Sequence, residues 1–151
     1  MRETATERIG TASAWIDVPD LDKGQLALGA VALTGSHSAG GSVFVPRTPH
    51  GVRTFAVGDF LIYSLAAFNA ASEQQTLMRI AILSGDRVLY RSAWEPIASR
   101  VTDRRERTAR LSGQLQLGGT PPGAYTLRVE VQDPARKHTV VATADFGVEK
   151  P

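Results

Sequence analysis

Cysteine is absent from all 151 residues. That omission excludes a disulfide framework, a thiolate metal site and a cysteine nucleophile together. It assigns no compartment, because a cytosolic protein and an envelope protein held by its core can both do without thiols. Long apolar runs are missing as well, and none approaches the ~20 residues of a helical membrane span. The opening Met1-Arg2-Glu3-Thr4-Ala5-Thr6-Glu7-Arg8 has no apolar centre, so it is not a secretory signal. If the parent protein is exported, its signal lies upstream. Neither sign of charge dominates. The 17 Lys and Arg against 15 Asp and Glu leave a formal +2, too weak a field to draw in nucleic acid.

What is present is alternation. With 42% hydrophobic and 21% charged residues the chain has ordinary globular composition. A domain of its length hides roughly 68–70% of its unfolded surface, so one real core is expected. The clearest stretch is Thr120-Pro121-Pro122-Gly123 followed by Ala124 to Asp133. Tyr125, Leu127, Val129 and Val131 share one parity, while Thr126, Arg128, Glu130 and Gln132 share the other. That is a strand with one face on a core and one toward water. A Gly-x-Tyr entry also begins the penultimate strand of many immunoglobulin-like sandwiches. Gly123 and Tyr125 are therefore expected to form a structural corner, with Tyr125 buried and its hydroxyl bonded to backbone just upstream.

The same grammar recurs along the chain. Residues 1–12 are polar and read as an arm or the end of a linker, leaving 13–151 as a single sandwich domain. Ala14 to Val18 is a short strand closed by Pro19. Gln25 to Leu33 is a second, but its apolar parity changes at Gly29-Ala30, which predicts a bulge. Thr34 to Gly51 is irregular, with Ser42 to Val45 as an edge-strand island. Arg53 to Val57 comes next. Phe60 to Asn69 is apolar on both parities and suits an interior strand covered on both faces. Gln75 to Leu83 and Val88 to Trp94 flank Ser84-Gly85-Asp86-Arg87, a hairpin turn. The Leu111–Leu117 alternation and the Val140–Val148 alternation complete the set. A helix over Ser72 to Ile82 competes, but the immediate hairpin favours a strand. About eight or nine close-spaced strands with no convincing helix mean an all-β, antiparallel, immunoglobulin-like sandwich.

Several of these pieces, in this order, resemble the carboxy-terminal region of bacterial von Willebrand factor type A-related proteins, abundant in acidobacteria. They are Trp15-Ile16-Asp17-Val18-Pro19-Asp20-Leu21 leading into Gly24 to Leu28, Arg53-Thr54-Phe55 with Gly58-Asp59, Tyr63 to Asn69, Pro121 to Leu127, and Phe146-Gly147-Val148. The resemblance implies an immunoglobulin-like sandwich at the end of a longer, exported protein. It transfers no catalytic residue, and the Asp-x-Ser-x-Ser adhesion motif of the type A domain has no counterpart here.

Candidate chemistry is thin. Ser38 and Ser42 lie near His37, but without a Gly-x-Ser-x-Gly elbow they read as small residues of a loop. His37, His50 and His138 lack the i, i+4 spacing of a metal pair. Asp20-Leu21-Asp22-Lys23-Gly24-Gln25 starts like a calcium loop, yet Gln25 stands where the sharp-turn glycine belongs and Val31 where the bidentate glutamate belongs. Arg100, Arg104, Arg105, Arg107 and Arg110 crowd one segment and could clamp an anionic partner. Asp103 and Glu106 dilute that run, so a solvated charged loop is the simpler reading. Trp15 and Trp94 would serve a sugar-binding platform only if exposed, and large rings usually fill cores. No catalytic, metal or cofactor site is expected. The sequence reads as a non-enzymatic interaction or spacer module with a protein partner, in a secreted, periplasmic or cell-envelope setting. The alternative is a carbohydrate-binding accessory module of a glycoside-active enzyme.

Overall fold

The structure, a computed structural model, describes residues 24–70, 75–105 and 108–151, excluding the side chains of His50, Arg104 and Arg105. The expected Ala14–Val18 strand, the 1–12 arm and residues 20–23 of the Asp-rich turn lie outside the described residues. Within them the alternating segments become strands: β1 Ala27–Leu28, β2 Ala32–Ser36, β3 Val43–Phe44, β4 Arg53–Ala56, β5 Phe60–Phe68, β6 Leu77–Ser84, β7 Arg87–Arg91, β8 Glu95–Pro96, β9 Val101–Arg105, β10 Thr108–Gln116, β11 Gly123–Asp133 and β12 His138–Glu149. No helix among the described residues is long and apolar enough to cross a membrane.

The strands form two sheets. One runs β3-β2-β5-β10-β9 with β1 also on β5, and the other β4-β12-β11-β6-β7 with β8 also on β6. Pairing is antiparallel throughout except where β4 joins β12 in parallel, Arg53 opposite Phe146 to Ala56 opposite Glu149. The fold is an all-β sandwich. Its core joins Leu33, Leu61, Tyr63 and Leu111 of the first sheet to Ile80, Leu127, Val129 and Phe146 of the second.

The described residues form twelve strands where eight or nine were expected, for two physical reasons. The predicted bulge divides one strand into two pieces: Leu28 faces Ala67, but Ala32 faces Ser64. The intervening Gly29-Ala30-Val31 oppose only Leu65-Ala66, so one residue is extra, and the Gly29 N–H still reaches Ala66 O at 2.8 Å. Beyond that division, the arginine-rich segment contains edge strand β9, and Glu95–Pro96 makes a two-residue pairing with β6. Charged residues on an edge are how sheets discourage further pairing, so β9 carries the composition of a loop.

β5 is interior, as its composition predicts. Leu61, Tyr63, Leu65 and Ala67 are buried on its inner face, whereas the outer face is half-buried rather than fully covered. Its β10 neighbour has a glycine opposite Tyr63. A Cβ on Gly113 would stand 2.2 Å from the Tyr63 Oη and 2.4 Å from its ring. Tyr63 is 1% exposed and has nowhere to swing.

Gly113→Ala is therefore expected to destabilise the protein by about 1–3 kcal/mol through overpacking. Gly118→Ala, whose Cβ would meet only the Gln116 side chain at 3.5 Å, should stay within about 0.5 kcal/mol of the parent. Urea unfolding of the two variants checks this pair, and equal midpoints would contradict it.

Candidate functional site

Between Gln116 and Gly123 the chain leaves the first sheet and enters the second. Gly119 adopts φ +80, the left-handed region that favours glycine. The Thr120 N–H closes the turn on Leu117 O at 3.1 Å. Tyr125, two residues into β11, points back under the turn, and its hydroxyl donates to Pro121 O at 2.6 Å. Its ring, 7% exposed by residue, stacks on Phe146 at 5.6 Å. Phe146 in turn meets Phe55 edge-on at 6.1 Å. Tyr125 is thus buried with its hydroxyl on the backbone just upstream, as expected, and its ring joins β11, β12 and β4 in one aromatic cluster. Gly123 opens the strand, and a Cβ there would make ordinary 3.7 Å contacts with the Tyr125 ring. The corner rests on the tyrosine more than on the glycine.

Beside this corner the sandwich is open. A cleft of about 400 Å³ lies between the sheets, lined by Ile82, Leu89, Tyr90, Leu115, Leu117 and Pro121. Tyr90 faces Ile82 across the β6–β7 pairing while Val88 faces Leu83. Leu89 is therefore the extra residue of a bulge, and it shares the cleft with Tyr90. The β6–β7 turn follows its glycine, with Gly85 at φ +58. Sequence parity alone missed this cleft, because the bulge brings two consecutive residues to one side.

Of the five arginines, Arg100 and Arg110 have side chains among the described residues. Arg100 pairs with Glu95 at 3.1 Å. Arg110 lies opposite Asp103 in the β9–β10 register, and both border a shallow depression with Ala66 and Thr108. The backbones of Arg104 and Arg105 lie in β9, while their side chains, and all of Arg107, lie outside the described residues. Burial holds the Tyr63 phenol above its ordinary pKa, with Arg100 opposing the rise and Glu95 and Tyr90 adding to it.

His37 and Asp59, 22 residues apart, meet at 2.9 Å. Asp59 is buried and its second oxygen accepts the Ala56 N–H at 2.9 Å. The exposed His37 ring stacks on Phe44 at 4.5 Å. The pair ties the irregular 37–44 segment to the turn before β5. Ser36, which the sequence did not single out, donates its hydroxyl to Ser38 O at 2.6 Å, so it serves a tight turn. His138 stands opposite Asp133 at the far end of the sandwich. Among the described residues no group of three His, Cys, Asp or Glu is placed to hold a metal. Trp94 is half-buried, and the Arg79 guanidinium covers its ring at 4.4 Å. That guanidinium also bonds the buried Glu130 carboxylate, so the indole does not present a bare platform.

Tyr125→Phe should cost about 1 kcal/mol, the value of one net hydrogen bond. The exposed Pro121 can recover a water at its carbonyl, which keeps the loss at that level. A thermal or urea midpoint identical to the parent would contradict the role given to the hydroxyl.

No protein-family model matches the chain, and no curated protein matches it in sequence.

Proposed function

We propose that the protein is a non-enzymatic, immunoglobulin-like interaction or spacer module, the carboxy-terminal part of a larger secreted or cell-envelope protein. Three features support the immunoglobulin-like reading. β2, β5, β10 and β9 follow one another in the first sheet, and β12, β11 and β6 in the second. β4 runs parallel to the last strand. A tyrosine near the start of the penultimate strand bonds back to the preceding corner. The larger setting rests on the resemblance of the ordered segments from Trp15 to Val148 to the tail region of von Willebrand factor type A-related proteins.

The observation that carries the interaction reading is the state of β7. Val88, Leu89 and Tyr90 are 39%, 45% and 49% exposed, three consecutive large apolar residues on the outermost strand of the sheet among the described residues. Singly scattered surface hydrophobics need no explanation, but a contiguous apolar edge marks a contact surface. The carbohydrate-binding alternative draws no support from Trp94, whose face is taken by Arg79.

Two measurements test the proposal. The purified protein should show no turnover across a panel of ester, phosphoester, glycoside and peptide substrates. Turnover that disappears in His37→Gln or Asp59→Asn would contradict the non-enzymatic reading. Fractionation of native cells should place the protein in the envelope or medium, and a cytosolic location would contradict the setting.

A further inference from the structure

We infer that β7 and the adjoining cleft receive an extended protein segment that carries a large apolar residue between two carboxylates. The inference rests on the interaction-module reading and adds a place and a partner chemistry to it. β7 is the outermost strand of its sheet among the described residues, so N–H and C=O groups on its outer side have no strand partner among them. An added strand satisfies such groups, and pockets beside the edge then read its side chains. Beside this edge lies the cleft of about 400 Å³, lined by Ile82, Leu89 and Tyr90 of the β6–β7 hairpin and by Leu115, Leu117 and Pro121. That is room for one aromatic or large aliphatic anchor, the kind of buried residue that dominates binding energy.

Charge decides what surrounds the anchor. Arg87 and Arg91 bracket the apolar triplet, both exposed, and neither makes an ion pair among the described residues. Asp86 in the turn is their acidic neighbour along the chain. Because Leu89 is the extra residue of the bulge, Arg87 and Arg91 stand on opposite faces of the edge, opposite Ser84 and Ala81, and span three partner positions, about 10 Å at the strand rise of ~3.3 Å. A partner strand laid along β7 therefore meets a cation near each end, and carboxylates there give steering and register. A second copy of this chain is the poorer occupant. Its β7, Arg87-Val88-Leu89-Tyr90-Arg91, brings two more cations to the edge and no carboxylate to answer them. A small apolar ligand would fill the cleft but leave the strand edge and both arginines unused.

The test uses two fluorescein-labelled peptides, Gly-Glu-Phe-Val-Glu-Gly and Gly-Lys-Phe-Val-Lys-Gly, whose four central residues match Arg91, Tyr90, Val88 and Arg87 in antiparallel order, titrated by fluorescence anisotropy with protein up to about 1 mM. The acidic peptide is expected to bind about tenfold or more tightly than the basic one, and to weaken with added salt. Leu89→Asp should abolish binding of the acidic peptide. The double variant Arg87→Glu/Arg91→Glu should reverse the preference, with an unchanged thermal midpoint showing that the fold is intact. Equal binding of both peptides, no binding of either, or acidic binding indifferent to these substitutions would overturn the site. So would a dimer in sedimentation that Leu89→Asp dissociates, or displacement of the peptide by laurate at equal affinity in the double variant and the parent. None of these outcomes touches the non-enzymatic reading, which stands or falls on the turnover panel.

Discussion

The hydrogen bond from the Tyr125 hydroxyl to Pro121 O is the constraint on which the upper end of the sandwich depends. At this point the chain passes from one sheet to the other, and a crossing segment has no ladder of its own to hold it. The bond fixes the crossing, and the tyrosine ring extends the hold into the core through Phe146 and Phe55. Each buried ring contributes apolar area and a directional contact, on the order of 0.5–1.5 kcal/mol beyond burial for an aromatic pair. Because Phe146 belongs to β12 and Phe55 to β4, the same cluster secures the one parallel pairing among the described residues. Parallel neighbours cannot be joined by a tight turn, so this pairing relies on side-chain packing.

The corner also shapes the surface next to it. Leu115, Leu117 and Pro121 are held as one wall, while the hairpin of β6 and β7 supplies the other. The bulge at Leu89 turns two neighbouring side chains into the cleft at the cost of regular pairing. Rigidity on one wall and an open edge on the other is a useful combination for binding. A pre-organised pocket limits the entropy lost when a partner orders, and the free edge supplies backbone hydrogen bonds.

Much of this was legible in the sequence because β-sandwich physics is local in pattern. Strict alternation from Tyr125 to Val131 revealed a strand and its buried face, and the phase change near Gly29 revealed a bulge. Gly85 marked the hairpin. Other features were hidden because they arise from pairing between distant segments. β9 reads as a charged loop, since edge strands carry charges to avoid further pairing. The His37–Asp59 contact joins positions that no local motif connects. The cleft requires the relative placement of two sheets, and Leu89 enters it only through an irregular register. Trp94, a candidate platform by composition, proves to be covered by Arg79 because β6 and the segment after β7 meet on the outer face of the sheet.

Native-state amide hydrogen exchange tests most directly the claim that a pinned corner supports an open edge. The Thr120 and Leu117 amides, which close the corner onto Leu117 O and Asp59 O, should exchange only with global unfolding, alongside the central amides of β5 and β11. The free-side amides of β7 should exchange orders of magnitude faster. Corner amides that exchange as fast as those of β7, at a free energy well below that of global unfolding, would contradict the account.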